Sequence, residues 1–332
     1  MDCLITSPPF WRVRDYGERE QIGMEEQYRD WLQALVSLFN ACRPALKSTA
    51  TLWIEVGDAY NNGRIGRQYK SFMNVQESNI PAKVDMPKGT MMGMPWRFAL
   101  MMIDNGWILR NVVVWQRPGP TPESVTNRLT RAWTPVFVFA QSSTYHFNLD
   151  EIRVPHVTGD AVISWQDVVR RKASKVTEKV SRRGYIGNVN GRNPGDVWTI
   201  PPDLLPVKGK HTARFPEALV AMALLAGCPL RVCQHCGAPP LPTYQGMRPC
   251  KCVAEGGPTV PGLVLDPFGG SGTVPAVALR YGYRAIMYEI VQQYCEMARE
   301  RCIIAEAQPA IELHRTNAHR PVEMRMPLET EE

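Results

Sequence analysis

The sequence predicts an α/β protein built on a doubly wound, mostly parallel sheet with an antiparallel hairpin, and three observations carry that expectation. Short apolar runs of strand length alternate with apolar residues at helical spacing along most of the 332 residues. A glycine-rich turn at 269–272 lies between one such run and a helix. Two adjacent prolines, Pro8 and Pro9, end the first apolar run, where a strand ladder cannot continue. The composition, 44% hydrophobic and 21% charged, supplies a packed core and excludes a disordered chain. No stretch approaches the roughly 18 uninterrupted apolar residues of a membrane span, and no basic-then-apolar leader opens the sequence, so a cytoplasmic protein is expected. Nine cysteines in such a compartment stay reduced, and clustered ones read as metal ligands before disulfides.

The elements follow in order. Residues 2–6 form a buried strand that ends at Ser7. Between 28 and 47, apolar residues at Trp31, Leu32, Leu35, Leu38, Phe39, Cys42 and Leu46 give one helical face. Residues 51–56 read as a strand closed by Gly57 and Asp58, and 61–93 as a polar, glycine-rich mobile loop. A helix over 94–105 stops at Gly106, and strands over 111–116 and 135–141 flank the proline-spaced connection from Arg117 to Pro122. Then come a helix over 215–226, a cysteine-rich insert, a strand over 263–266, a helix over 273–281, a strand over 284–289, a helix over 292–307 and a last strand near 311–316.

The sharpest signal is Asp266-Pro267-Phe268-Gly269-Gly270-Ser271-Gly272-Thr273. Its glycines permit a tight turn and close approach of a ligand at the carboxyl end of a strand, where open α/β sheets bind ligands. No lysine follows as in a phosphate-binding P-loop, the dinucleotide spacing is absent, and Asp266 would repel a phosphate. A cationic, hydroxyl-bearing nucleoside suits that carboxylate better. Glu289 follows Gly270 by nineteen residues, about where a carboxylate accepts bonds from ribose hydroxyls.

With Thr6-Ser7-Pro8-Pro9-Phe10 as the second motif, the sequence resembles the S-adenosylmethionine-dependent amino-group DNA methyltransferases, and the order of the two motifs resembles their beta group. Further stretches that look like family signatures are Gly93 to Arg97, Gly106-Trp107, Val114 to Gln116, 122–130, Tyr145 to Asn148 and His211 to Pro216. The resemblance implies a Rossmann-like methyltransferase sheet in which the strands at 263–266 and 2–6 are neighbours. It places Ser7, Pro8, Pro9 and Phe10 in catalysis, and residues 266–273, Glu289, Asn317, Thr212 and Phe215 around the cofactor. Asn317 stands where the family often has an acidic residue.

The chemistry of the tetrapeptide is understandable from its atoms. An exocyclic amine on a nucleobase is a poor nucleophile because its lone pair is delocalised into the ring. The Ser7 hydroxyl oxygen and the Pro8 carbonyl can accept both amine hydrogens and tilt the lone pair toward a methyl donor, with prolines holding the carbonyl in one direction. Phe10 would stack on a base flipped out of the duplex. Carbon-5 methylation would need a nucleophilic cysteine, and Cys250 after Pro249 sits in the cysteine cluster instead. The family resemblance implies that serine rather than aspartate or asparagine at position 7 favours cytosine-N4, although either amine fits the same geometry and adenine-N6 methylation on the same fold is the alternative. A catalytically inactive, zinc-containing DNA-binding protein is the reading from another class.

Two insertions remain. Cys233-Gln234-His235-Cys236 and Cys250-Lys251-Cys252 form a CxxC…CxC pattern that suits a structural tetrahedral zinc site at Cys233, Cys236, Cys250 and Cys252. Residues 168–183 carry Arg170, Arg171, Lys172, Lys175, Lys179, Arg182 and Arg183 against one acid, a surplus equal to the +6 of the whole chain. They lie where the beta group carries target recognition, so they are expected to bind DNA, with Tyr185, Asn188, Asn190 and Arg192 as further candidates for base edges. The expected organisation is a catalytic half over 1–150, a recognition insert over 151–195 and a cofactor-binding half over 196–332, with the cysteine-rich insert at 228–258. Double-stranded DNA is the expected partner, a cognate restriction endonuclease a further one, and the cytoplasm of a bacterium or a phage-infected host the expected setting.

Overall fold

A computed structural model describes residues 1–61, 84–119, 125–156, 162–164, 185–188, 190–203, 215–243 and 246–311. The chain divides into a larger unit, Met1–Glu151 with Asp196–Leu313, and a smaller one, Ile152–Gly195 with His314–Glu332.

In chain order the larger unit begins with β1 (Cys3–Thr6), α1 (Tyr28–Cys42), β2 (Thr51–Glu55), α2 (Met94–Asp104), β3 (Ile108–Gln116) and β4 (Trp133–Ala140). In the smaller unit, β5 (Val162–Ser164) pairs in parallel with β6 (Tyr185–Gly187). Val154 and Arg192 form an antiparallel bridge in the same unit. The larger unit resumes with β7 (Val197–Thr199), α3 (Glu217–Gly227), β8 (Arg231–Cys233), β9 (Leu241–Thr243), β10 (Gly246–Arg248), α4 (Lys251–Ala254) and β11 (Thr259–Pro261). It ends with β12 (Leu263–Asp266), α5 (Thr273–Arg280), β13 (Arg284–Met287) and α6 (Gln292–Glu306).

Among the described residues, seven strands form the central sheet in the order β13-β12-β1-β2-β4-β3-β7. All are parallel except β4, which runs antiparallel to both β2 and β3. This is the mostly parallel sheet with an antiparallel pair that the sequence predicts. β3 starts three residues earlier than its apolar run, through a register shift between Leu109 and Asn111. β7 is an addition. Three residues are too few to show a period, and the strand is held by its parallel pairing and by the Trp115 indole N–H donating to the Ile200 carbonyl at 2.9 Å. The expected strand near 311–316 and most of the 61–93 loop lie outside the described residues.

Burial follows the pattern. β1, β2 and most of β4 are buried on both faces, as inner strands covered by helices must be. α1 buries Trp31, Leu32, Leu35, Val36 and Phe39 on one face, and Phe39, Phe98 and Phe137 continue that core through edge-to-face and tilted ring contacts. α2 starts where the Asp58 carboxylate accepts the N–H groups of Gly93 (3.1 Å) and Met94 (3.0 Å), with Pro95 in its first turn. Among the described residues no helix is long and apolar enough to cross a membrane.

α3 is apolar nearly all round and ends against β2, where the Gly227 carbonyl accepts the Thr51 hydroxyl at 3.0 Å. A methyl group on Gly227 would collide with the Trp53 indole nitrogen and the Thr51 hydroxyl. Gly227→Ala is therefore expected to lower the unfolding free energy by about 1–3 kcal/mol, as overpacking of a dense core does. Urea titration monitored by tryptophan fluorescence reads this directly.

Candidate active site

Parallel pairing of β1 with β12, Cys3 opposite Val264 and Leu4 opposite Leu265, makes the two chains leave the sheet side by side. Just before they diverge, the Thr6 hydroxyl donates to Asp266 Oδ1 at 2.7 Å. Beyond that bond one chain becomes Ser7-Pro8-Pro9-Phe10 and the other becomes the glycine loop.

The tetrapeptide is fixed from below. The indole N–H of Trp31, fully buried on α1, donates to the Pro9 carbonyl at 2.9 Å. No hydrogen bond among the described residues takes the Pro8 carbonyl. Glu55, the last residue of β2, has its carboxyl beside the Ser7 side chain, which favours the ionised carboxylate. The Phe10 ring lies over Gly57 so closely that a Cβ there would collide with its edge.

The loop is held by its own backbone and by two carboxyl groups, those of Asp266 and Glu289. Gly269 N–H donates to the Tyr288 carbonyl (2.8 Å), Tyr288 N–H to the Asp266 carbonyl (2.9 Å) and Phe268 N–H to Asp266 Oδ1 (3.1 Å). Gly272 has φ +78°, a left-handed conformation that favours glycine, and a side chain there would strike Ala298 of α6. Glu289 sits two residues past the end of β13 rather than on it. Its Oε2 accepts the N–H of Gly270 at 2.7 Å and its Oε1 that of Val291 at 2.8 Å. Each oxygen keeps a second acceptor position.

Between these two segments lies a cavity of about 600 Å³. Ser7, Pro8, Pro9 and Phe10 line it on one side and Asp266 to Ser271, with Thr273 and Glu289, on the other. Phe215, at the start of α3, contributes an apolar wall, as do Tyr288, Ile290 and Tyr294. Two carboxyl groups in this region are displaced from their ordinary range. Burial pushes Glu55 up to about 7, opposed by the neighbouring Ser7 side chain and by the Arg117 charge. Burial also pushes Asp266 up to about 7, opposed by the bonds from Thr6 and Phe268, while the neighbouring Glu289 charge adds to the rise. A cation entering the cavity would favour the ionised form of Asp266.

The structure thus brings together Ser7 to Phe10, residues 266–273, Phe215 and Glu289. Thr212, Asn317 and the seven basic residues from Arg170 to Arg183 lie outside the described residues. In the smaller unit, the Asn188 side chain accepts the Asn190 N–H at 2.9 Å, and the Arg192 backbone is engaged with Val154. The four clustered cysteines place their Sγ atoms within 4.8 Å of one another, and none of them lines the cavity.

Three contributors escaped the sequence reading. Glu55 carried a usable signal, a lone acid closing an apolar strand at the ligand-binding end of the sheet. Trp31 carried none, since it looks like any residue of the apolar face of α1. Glu217 is the third. Its carboxylate joins Arg280 of α5 (2.8 Å) to Arg301 of α6 (2.6 Å), and Arg301 also donates to the Thr273 hydroxyl at 2.8 Å, bracing the start of α5 beneath the loop.

A mostly parallel sheet whose two central strand ends enclose such a cavity, a proline turn on one side and a glycine loop on the other, agrees with the architecture of the DNA methylases that the sequence matches. A family model described as DNA methylase, of the N6/N4 class, matches residues 1–300, and the chain belongs to that family. It is 29% identical over 307 residues to the type II methyltransferase M.SmaI of Serratia marcescens, covering 91% of this chain and 84% of that one. It is 30% identical over 304 residues to the type II methyltransferase M.XycI of Xanthomonas campestris pv. cyanopsidis, covering 90% and 80%. Among solved structures, the PvuII DNA methyltransferase (cytosine-N4-specific) shares the fold with a TM-score of 0.54 at 17% identity, over 91% of this chain and 79% of that one.

Because the folded value of Glu55 lies above its unfolded one, near 4.5, the native state loses stability as pH rises from that value through about 7. Glu55→Gln keeps the size and polarity of the side chain and cannot ionise. Relative to the parent, the variant is expected to gain on the order of 2–3 kcal/mol between pH 4.5 and pH 8. Urea unfolding of both proteins across that range is the measurement, and a pH-independent difference would refute the burial of an ionisable carboxyl.

Proposed function

We propose that the chain transfers a methyl group from S-adenosylmethionine to the exocyclic N4 amine of a cytosine flipped out of double-stranded DNA. The observation that carries this reading is the placement of Ser7, backed by Glu55, and of the Pro8 carbonyl across one cavity from the glycine loop.

The cavity residues fit that cofactor. Its volume is within the roughly 300–1,000 Å³ of small-molecule sites. It combines apolar walls, including Phe215 and Phe268, with Asp266 for a cationic centre and Glu289 for hydroxyl groups. When bound, the cofactor supplies an electrophilic methyl group on a sulfonium.

On this reading the chain's own residues do the rest. Phe10 stacks on the target base while Trp31 fixes the turn that carries it. Ser7 Oγ and the Pro8 carbonyl accept the two amine hydrogens and turn the nitrogen lone pair toward the donor, so that orientation supplies much of the rate. The proton that the amine must lose passes by way of the Ser7 hydroxyl to Glu55, a carboxyl whose affinity for protons near pH 7 suits a general base. Serine at position 7 supports cytosine. The basic run at 168–183 supplies phosphate contacts in a recognition insert over 151–195, between the catalytic half at 1–150 and the cofactor-binding half at 196–332. The type II names of the relatives support a restriction endonuclease as the functional counterpart.

Ser7→Ala is expected to reduce transfer of labelled methyl groups to unmethylated genomic DNA by roughly 10²–10⁴-fold, while calorimetry shows cofactor binding retained. Turnover equal to the parent's would overturn the assignment of Ser7. Because ionised Asp266 is the form that attracts a cation, cofactor affinity should rise from pH 6 to pH 8 through the value near 7. Asp266→Asn should bind more weakly at pH 8 and lose that dependence, and a parent affinity independent of pH would count against the role of Asp266.

A further inference from the structure

We propose that Cys233, Cys236, Cys250 and Cys252 hold one zinc ion as a tetrathiolate, and that this ion clasps the leading ends of the two strands whose trailing ends form the active site. The four Sγ atoms all lie within 4.8 Å of one another and belong to unpaired thiols. A tetrahedral zinc site with Zn–S bonds of about 2.3 Å has sulfurs about 3.8 Å apart, so the cluster reaches that geometry with small side-chain rotations.

The backbone is already shaped around the sulfurs. The Cys236 N–H points at Cys233 Sγ (3.5 Å), and the Gly237 N–H closes the turn on the Cys233 carbonyl (2.9 Å). Cys250 and Cys252 sit at the start of α4, a helix of only four residues that buries none of them. β9 and β10 pair only with each other, three residues each. Such a segment has no core of its own to hold two distant thiol pairs together, and metal coordination supplies what the core lacks.

The clasp runs through Lys47. Its ammonium group donates to the Gly237 carbonyl and to Asp2 Oδ1, both at 2.5 Å. Asp2, almost fully buried, accepts the Leu263 N–H on Oδ2 at 2.9 Å and donates its own N–H to the Leu263 carbonyl at 2.8 Å. The turn after Cys236 is thereby tied to the residue before β1 and to the first residue of β12. A second tie joins the ring Nδ1 of His146 to the Pro240 carbonyl at 2.7 Å. Asp2 and Ser7 are at opposite ends of β1, some five residues or about 16 Å of strand apart. The ion is therefore structural, with no part in the transfer step, and the site stands whether or not the methyl-transfer reading does.

The full-length protein, purified reduced from zinc-supplemented medium, should contain one zinc per chain by plasma mass spectrometry. Cobalt exchanged into it should show thiolate-to-metal charge-transfer absorption. Stripping the zinc with a chelator should lower the thermal midpoint by roughly 5–10 °C and speed amide exchange at residues 3–6 and 263–266. Lys47→Met should keep the zinc but lose the coupling of chelation to exchange in those strands. Metal-free protein with four titratable thiols, or with two disulfides in this segment, would overturn the site. Bound zinc whose removal leaves exchange in β1 and β12 unchanged would overturn the clasp.

Discussion

The active site depends on one contact between distant parts of the chain, the hydrogen bond from Thr6 to Asp266 at the end of a parallel strand pair. The two residues are 260 positions apart in sequence. Only their pairing places a strand-ending proline turn and a glycine loop on the two sides of one cavity. Everything else in the region serves to keep these two exits in register. Trp31 and Gly57 fix the proline turn, Glu289 fixes the loop through Gly270, and Glu217 braces the helix that follows the loop. Asp2 fixes the same strand pair at its other end.

That pairing also sets the electrostatics. Asp266 and Glu55 end two inner strands of the sheet, where helices and neighbouring strands exclude water. Burial therefore outweighs the polar groups beside each and raises both carboxyls to about 7. A sheet interior that must bury its strand ends thus yields two groups poised to change charge near neutral pH, one beside each motif. Such shifted carboxyls cost stability when ionised, a cost that functional sites commonly carry.

Much of this was legible in the sequence, because the signals were local. β1, β2 and β12 are apolar runs stopped by prolines or glycines, and α1 shows its buried face as a repeat at helical spacing. The glycine loop and Glu289 were legible as a pair, although the carboxylate holds loop amides where only ribose contacts were expected. The alternation of strands and helices carried the parallel sheet, but the three-residue β7 was too short to leave a trace. Glu55, Trp31 and Glu217 were not singled out because what makes them special is a partner 22 to 84 residues away, or on another strand. Spacing within a motif cannot show that.

The proposed function has the two strand exits present one amine-accepting site to a cytosine of DNA. Mass spectrometry of nucleosides, after purified protein and S-adenosylmethionine have acted on unmethylated DNA, tests it most directly. The account predicts N4-methylcytosine. N6-methyladenine alone would contradict the choice of base, and 5-methylcytosine or no methylated nucleoside would contradict the site itself.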